Sequence, residues 1–174
     1  MKKIFVLIFI VLLVLTSLFF GIKKFYGNKA TDIQFVNKFK SESIMNIGEK
    51  VYGCELFHTD SLTEITLQDP KTVEGIKITW ENGNQEVSLD GIQKETNYFM
   101  IPEDSFLNLV VKILNSINSI ELTKLSNDGK YSTFKGKIDK HEFEFTSDDN
   151  GYIKELSIPS KKSKISFEYK EGNL

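Results

Sequence analysis

His58 is followed by Asp60 and Glu64, and an imidazole flanked by carboxylates carries the groups for proton transfer or for holding a metal ion. The only other histidine, His141, lies 83 positions away with no ligand spacing around either residue, so the zinc-site signature of paired ligands a few residues apart is missing. A metal-dependent enzyme centred on His58 and Asp60 is the sharp reading; ordinary strand or turn histidines are the expectation. Glu142 and Glu144 share one strand face and imitate a catalytic carboxylate pair. Their alternation with Phe143 and Phe145 makes them the solvated side of a half-buried strand. Ser147-Asp148-Asp149-Asn150-Gly151 has the composition of a calcium loop without its alternation or its distal glutamate, and reads as a hairpin turn. Cys54 is the single cysteine, set among Tyr52, Leu56 and Phe57; it can form no intramolecular disulfide and is expected as a small buried hydrophobe. Neither a glycine-rich phosphate loop nor a G-x-S-x-G elbow occurs. The expectation is a protein that is not an enzyme, with no catalytic residue, metal or cofactor.

Charge narrows the partners. All 22 basic residues of the 174 are lysine, so the planar, bidentate fork that arginine offers to phosphate or carboxylate is unavailable. Lys2, Lys3, Lys23 and Lys24 fall in the first 27 residues, which hold no acid. The remainder has 18 lysines against 24 acids, a formal charge of −6. An acidic domain lacks the clustered positive charge that phosphate backbones require, so no nucleic-acid partner is expected.

Residues 4–22 are uncharged and interrupted only by Thr16, Ser17 and Gly21. As a helix they reach roughly 28 Å, close to the hydrocarbon thickness of a bilayer. A cleavable signal needs small residues at both positions before the cut, whereas Leu15 accompanies Ser17, Phe19 accompanies Gly21 and Phe25 accompanies Gly27. Cys54 lies too far on to carry a lipid. Residues 1–27 are therefore expected as an uncleaved signal anchor, a single-pass transmembrane helix, followed by a stalk or short helix over 28–40 and an extracytoplasmic β-rich domain over 41–174. Thr31 and Asp32 would cap the short helix, turning Ile33, Val36 and Phe39 to one face.

From Glu42 onward the texture is β. Ile76, Ile78 and Trp80 alternate with polar residues, Asn82-Gly83 supplies a two-residue turn, and Val87 and Leu89 alternate on the return. Further strands are predicted at 51–57, 62–67, 132–138, 141–145, 153–158 and 165–169, with turns at Asn127-Asp128-Gly129 and Asp149-Asn150-Gly151. In the last strand Ile165, Phe167 and Tyr169 share one face, and its place near the end of the chain suggests a sheet edge open to strand addition by a partner. Pro102-Glu103-Asp104-Ser105 opens the one helix, where Phe106, Leu109, Val110, Ile113, Leu114 and Ile117 recur at helical spacing. The fold class is α+β: a curved antiparallel sheet covered by a helix. Trp80, Phe99, Phe106, Val110 and Leu114 are core if the helix fills the concave face, which is the expectation, and line a lipid groove if it sits off the sheet.

The order of landmarks carries a resemblance. Gln68-Asp69-Pro70 ends a strand, Thr72-Val73-Glu74-Gly75 leads into residues 76–80, Leu89-Asp90-Gly91-Ile92 follows, and Ile101-Pro102 opens the helix. Over residues 40–170 this resembles the LolA-like superfamily, the half-barrels of lipoprotein carriers and their Gram-positive relatives. Within that group the anchor and size are most similar to the clostridial spore-germination family GerS. The resemblance implies a half-barrel accessory protein that binds and activates a cell-wall N-acetylmuramoyl-L-alanine amidase in germination or sporulation, outside the cell membrane or in the forespore intermembrane space. Two features depart from it: the lipid-bearing cysteine of such proteins is missing, and so is the cavity arginine with which the carriers grip cargo. The alternative function is a lipid or hydrophobic-ligand binder using the half-barrel cavity.

Overall fold

The computed structural model describes residues 33–89 and 101–169. Ten strands form one open, curved sheet: β1 (Phe39–Ile47), β2 (Lys50–His58), β3 (Leu62–Asp69), β4 (Ile76–Glu81), β5 (Asn84–Leu89), β6 (Thr123–Asn127), β7 (Tyr131–Ile138), β8 (His141–Asp148), β9 (Ile153–Ile158) and β10 (Ser163–Tyr169). Helix α1 (Phe106–Ser116) lies between β5 and β6 in the chain. The spatial order is β5-β4-β3-β2-β1-β10-β9-β8-β7-β6. The chain thus makes two five-stranded meanders, β1–β5 and β6–β10, which meet along β1 and β10.

Register assigns the faces, because side chains alternate along a strand. On β1 the buried residues are Phe39, Ser41, Ser43 and Met45, with Lys40, Glu42 and Ile44 outward. The β1–β10 ladder pairs Ser43 with Phe167 and Met45 with Ile165, which extends this inner face into the second meander. The inner face continues through Leu156 opposite Ile165, Phe145 opposite Leu156 and Phe134 opposite Phe145. Helix α1 buries Phe106, Leu109, Val110, Ile113 and Leu114 in the same core cluster. Gly136 is where β7 must yield space: a Cβ there would come 2.4 Å from Phe143 Cζ and 2.9 Å from Leu122 Cδ2.

The curved antiparallel sheet with its covering helix, the Asn82-Gly83 turn and the two longer hairpin turns are found as the sequence predicts. Three local expectations are corrected. Residues 33–37 carry no helix and Phe39 already belongs to β1, because the alternation beginning at Phe39 has period 2 and pairs on both sides. The helix begins at Phe106 with Ser105 as its cap, leaving Pro102, Glu103 and Asp104 ahead of it rather than in its first turn. The strand over 165–169 is not an edge. β10 lies in the middle of the sheet between β1 and β9, since Ile165 and Phe167 are core residues that need neighbours on both flanks. Among the described residues no helix is long and apolar enough to cross a membrane; the proposed anchor over 4–22 and the groove candidate Phe99 lie outside the described residues.

Candidate functional site

His58 ends β2 and faces inward, 1% exposed. Its Nδ1 lies 2.8 Å from Thr63 Oγ1 across the β2–β3 turn, and its ring packs against Phe39 at 5.5 Å between centroids. Burial pushes its pKa down to about 4, against the opposing influence of the Asp60 carboxylate and the Leu114 backbone. The neighbours that suggested chemistry are elsewhere. Asp60 is exposed and receives Lys38 Nζ at 2.7 Å and Asn37 Nδ2 at 2.7 Å. Glu64 sits opposite Phe57 on the outer face and pairs with Lys77 at 2.6 Å. A strand period of 2 separates His58 from Glu64 by the thickness of the sheet.

His141 opens β8, 7% exposed, with Nδ1 2.8 Å from Ser160 Oγ on the 3₁₀ turn Pro159–Lys161. Its Nε2 is buried without a hydrogen-bond partner among the described residues, so no carboxylate orients the ring as a general base requires. Glu142 and Glu144 lie outward, opposite the buried Phe143 and Phe145, as their alternation predicts. Lys135 reaches Glu142 at 2.7 Å and holds its carboxyl below the usual range. Asp148 is a turn-former: its Oδ1 accepts from the backbone N–H of Asn150 and of Tyr152, each at 3.0 Å. The Cys54 thiol is 1% exposed and burial pushes its pKa up to about 12, which removes the thiolate that reactivity needs. Among the described residues no three His, Cys, Asp or Glu side chains gather as a metal-holding group.

The candidates for an apolar groove divide. Phe106, Val110 and Leu114 are 4%, 0% and 2% exposed and are core beneath α1. Trp80 is half-buried against that core, and its Nε1 donates to Asn108 Oδ1 at 2.6 Å. Asn108 in turn donates through Nδ2 to the carbonyls of Ile101 and Pro102, both at 2.8 Å, so one amide locks the start of α1 onto β4. The partner-surface candidates Ile165, Phe167 and Tyr169 face inward; Tyr169 Oη donates to the Ile153 carbonyl, and burial raises its pKa.

The structure brings Phe35, Asn118 and Phe134, which the sequence did not single out, together with Val36, Phe145 and Gly151. The segment 33–38 crosses the end of the sheet where β1 begins. Phe35, 3% exposed, stands edge-on to Phe134 and Phe145 at 5.3 Å and 5.0 Å between centroids. Asn118, just beyond α1, accepts from Phe35 N at 2.8 Å and donates through Nδ2 to Phe35 O at 3.0 Å. Val36 N donates to the Gly151 carbonyl at 3.0 Å. The available signal was Gly151, whose added Cβ would sit 2.4 Å from the Gln34 carbonyl.

Exposed apolar side chains occur on the outer face of β1 and β2, at Ile44 and Val51, and at the two ends of the sheet. Among the described residues β5 pairs only with β4 and β6 only with β7, and Leu89 and Leu125 on these strands are 48% and 51% exposed. No family model matches this chain, and no curated protein matches its sequence.

Proposed function

We propose that this chain is a non-enzymatic, membrane-anchored accessory protein whose extracytoplasmic domain binds another protein. The observation that carries the reading is the filled concave face: α1 and Phe35 occupy it, with Phe106, Val110 and Leu114 each under 5% exposed. Recognition then falls to the outer surface and to the terminal strands β5 and β6. A strand with one edge unpaired among the described residues and an exposed leucine supports docking by strand addition, in which main-chain hydrogen bonds give affinity and alternate side chains give specificity. The acid–lysine pairs Lys40–Glu55, Lys77–Glu64, Lys135–Glu142 and Lys164–Glu155 cover the outer face of the sheet, and exposed pairs of this kind contribute little binding energy. The partner class, a cell-wall N-acetylmuramoyl-L-alanine amidase acting in germination or sporulation, rests on the resemblance of the chain landmarks alone.

Affinity capture of the intact, membrane-extracted protein from sporulating cells tests this reading. Recovery of a peptidoglycan amidase, lost when Val87 and Leu89 on β5 or Leu125 on β6 are replaced by lysine, supports it. Recovery of no cell-wall enzyme above background removes it. Organic extraction of the same material, followed by mass spectrometry, separates it from the lipid-binding alternative, which requires stoichiometric co-purified lipid.

A further inference from the structure

We propose that residues 33–38 are a releasable strap, the resident occupant of a slot that reads an extended, aromatic-bearing segment through the Asn118 amide, the Gly151 carbonyl and the Phe134–Phe145 cleft. The inference stands independently of the accessory reading. Asn118 meets Phe35 with both of its polar atoms, accepting from N–H and donating to C=O. That is the two-bond exchange one strand residue makes with another in an antiparallel pair. Here a side chain performs it, so the strap is recognised as backbone without belonging to the sheet ladder. Gly151 has φ +81° and lies so close to the Gln34 carbonyl that no other residue leaves the strap in place. The Phe35 ring packs edge-on across two aromatic rings that stack on each other at 5.1 Å.

Outside its buried Phe35, the strap is held by fewer main-chain hydrogen bonds than the strand it leads into. β1, which follows it, is hydrogen-bonded to β2 on one side and β10 on the other. The strap has the Asn118 pair, the Val36–Gly151 bond and the exposed contacts of Asn37 and Lys38 with Asp60. Exposed ion pairs hold weakly and are screened by salt. Segments outside the ladder, held by few main-chain hydrogen bonds, open before a strand paired on both sides.

The test uses the full chain in detergent and a fluorescein-labelled peptide of residues 31–38, followed by fluorescence anisotropy. Phe35→Ala vacates the aromatic cleft in cis, so the peptide should bind this variant saturably. It should bind wild type at least about tenfold more weakly, since an occupied slot reduces apparent affinity by the open fraction. It should likewise fail on Phe35→Ala/Asn118→Ala, and a peptide with alanine in place of Phe35 should not bind at all. Equal binding to all three proteins overturns the proposal, as does no binding by a Phe35→Ala chain that keeps its near-ultraviolet circular dichroism. Amide exchange of wild type decides the matter even if the variant does not fold. The Phe35 and Val36 amides should exchange at least about tenfold faster than those of β1. A single common rate for strap and sheet overturns the proposal.

Discussion

His58 shows how burial sets the chemistry of a residue whose sequence neighbours point elsewhere. Its folded pKa of about 4 lies below the ordinary histidine value of 6.5, so the folded protein holds the ring neutral while the unfolded chain protonates it. The stabilisation from keeping it neutral is fully present above pH 6.5 and is lost as pH falls toward 4, because the unfolded state then binds the extra proton. A difference of this size amounts to about 3 kcal/mol. Urea unfolding of wild type and His58→Asn across pH 4–7 should give stability curves that converge on acidification, the wild type losing more. Parallel curves would show that the ring is not neutral in the fold. Cys54 makes a matching prediction. With its thiol pushed up to about 12 and 1% exposed, it should resist a thiol reagent in the native protein and react in denaturant. At this scale the sequence shows the titratable groups but not their faces: His58 and Glu64 look adjacent, and only the β2–β3 register separates them.

Elements were legible where pattern and turn chemistry agree. Asn82-Gly83 between two alternating runs specifies β4 and β5, and Asn82 and Gly83 both adopt positive φ, 49° and 83°. The apolar stripe of α1 likewise specifies a helix that cannot stand alone. β1 was not resolved as a strand because two of its inward positions are Ser41 and Ser43, which erase the hydropathy alternation while keeping the geometric one. Those serines donate or accept between themselves at 3.0 Å, a satisfaction no hydropathy pattern records. The central place of β10 was illegible for another reason: strand order is fixed by which inner faces complement each other, not by position in the chain. Two substitutions test the element-level packing. Leu114→Ala should destabilise by about 2–5 kcal/mol, the usual cost of emptying a core leucine site. Ser105→Ala should cost about 1 kcal/mol, the worth of the cap that Ser105 Oγ gives Asn108 N at 3.3 Å. Chemical denaturation reads both, and a Leu114→Ala loss within about 0.5 kcal/mol of wild type would place the helix off the sheet.

At the scale of the whole molecule, the strap and the proposed anchor together decide how far the domain stands from a bilayer. Twelve residues lie between Ile22 and Phe35, making thirteen steps along the chain, and a fully extended chain covers at most about 3.5 Å per step. With residues 4–22 in the membrane and Phe35 in its slot, the Phe134–Phe145 cleft lies within about 45 Å of the hydrocarbon boundary. The physical case for the anchor is the uncharged run itself. Each central Leu, Ile, Phe or Val favours insertion by about 0.3–0.6 kcal/mol, and no Asp, Lys or Arg within 4–22 opposes them. A helix so inserted does not exchange off the bilayer as a single acyl chain does. The protein recovered from membranes should therefore retain residues 1–22 in its intact mass and resist extraction by alkaline carbonate. A mature N-terminus between Gly21 and Thr31, with release by carbonate, would remove the tether. A freely diffusing domain could then meet partners or hydrophobic ligands at any distance from the membrane, and the accessory reading would yield to the lipid-binding one.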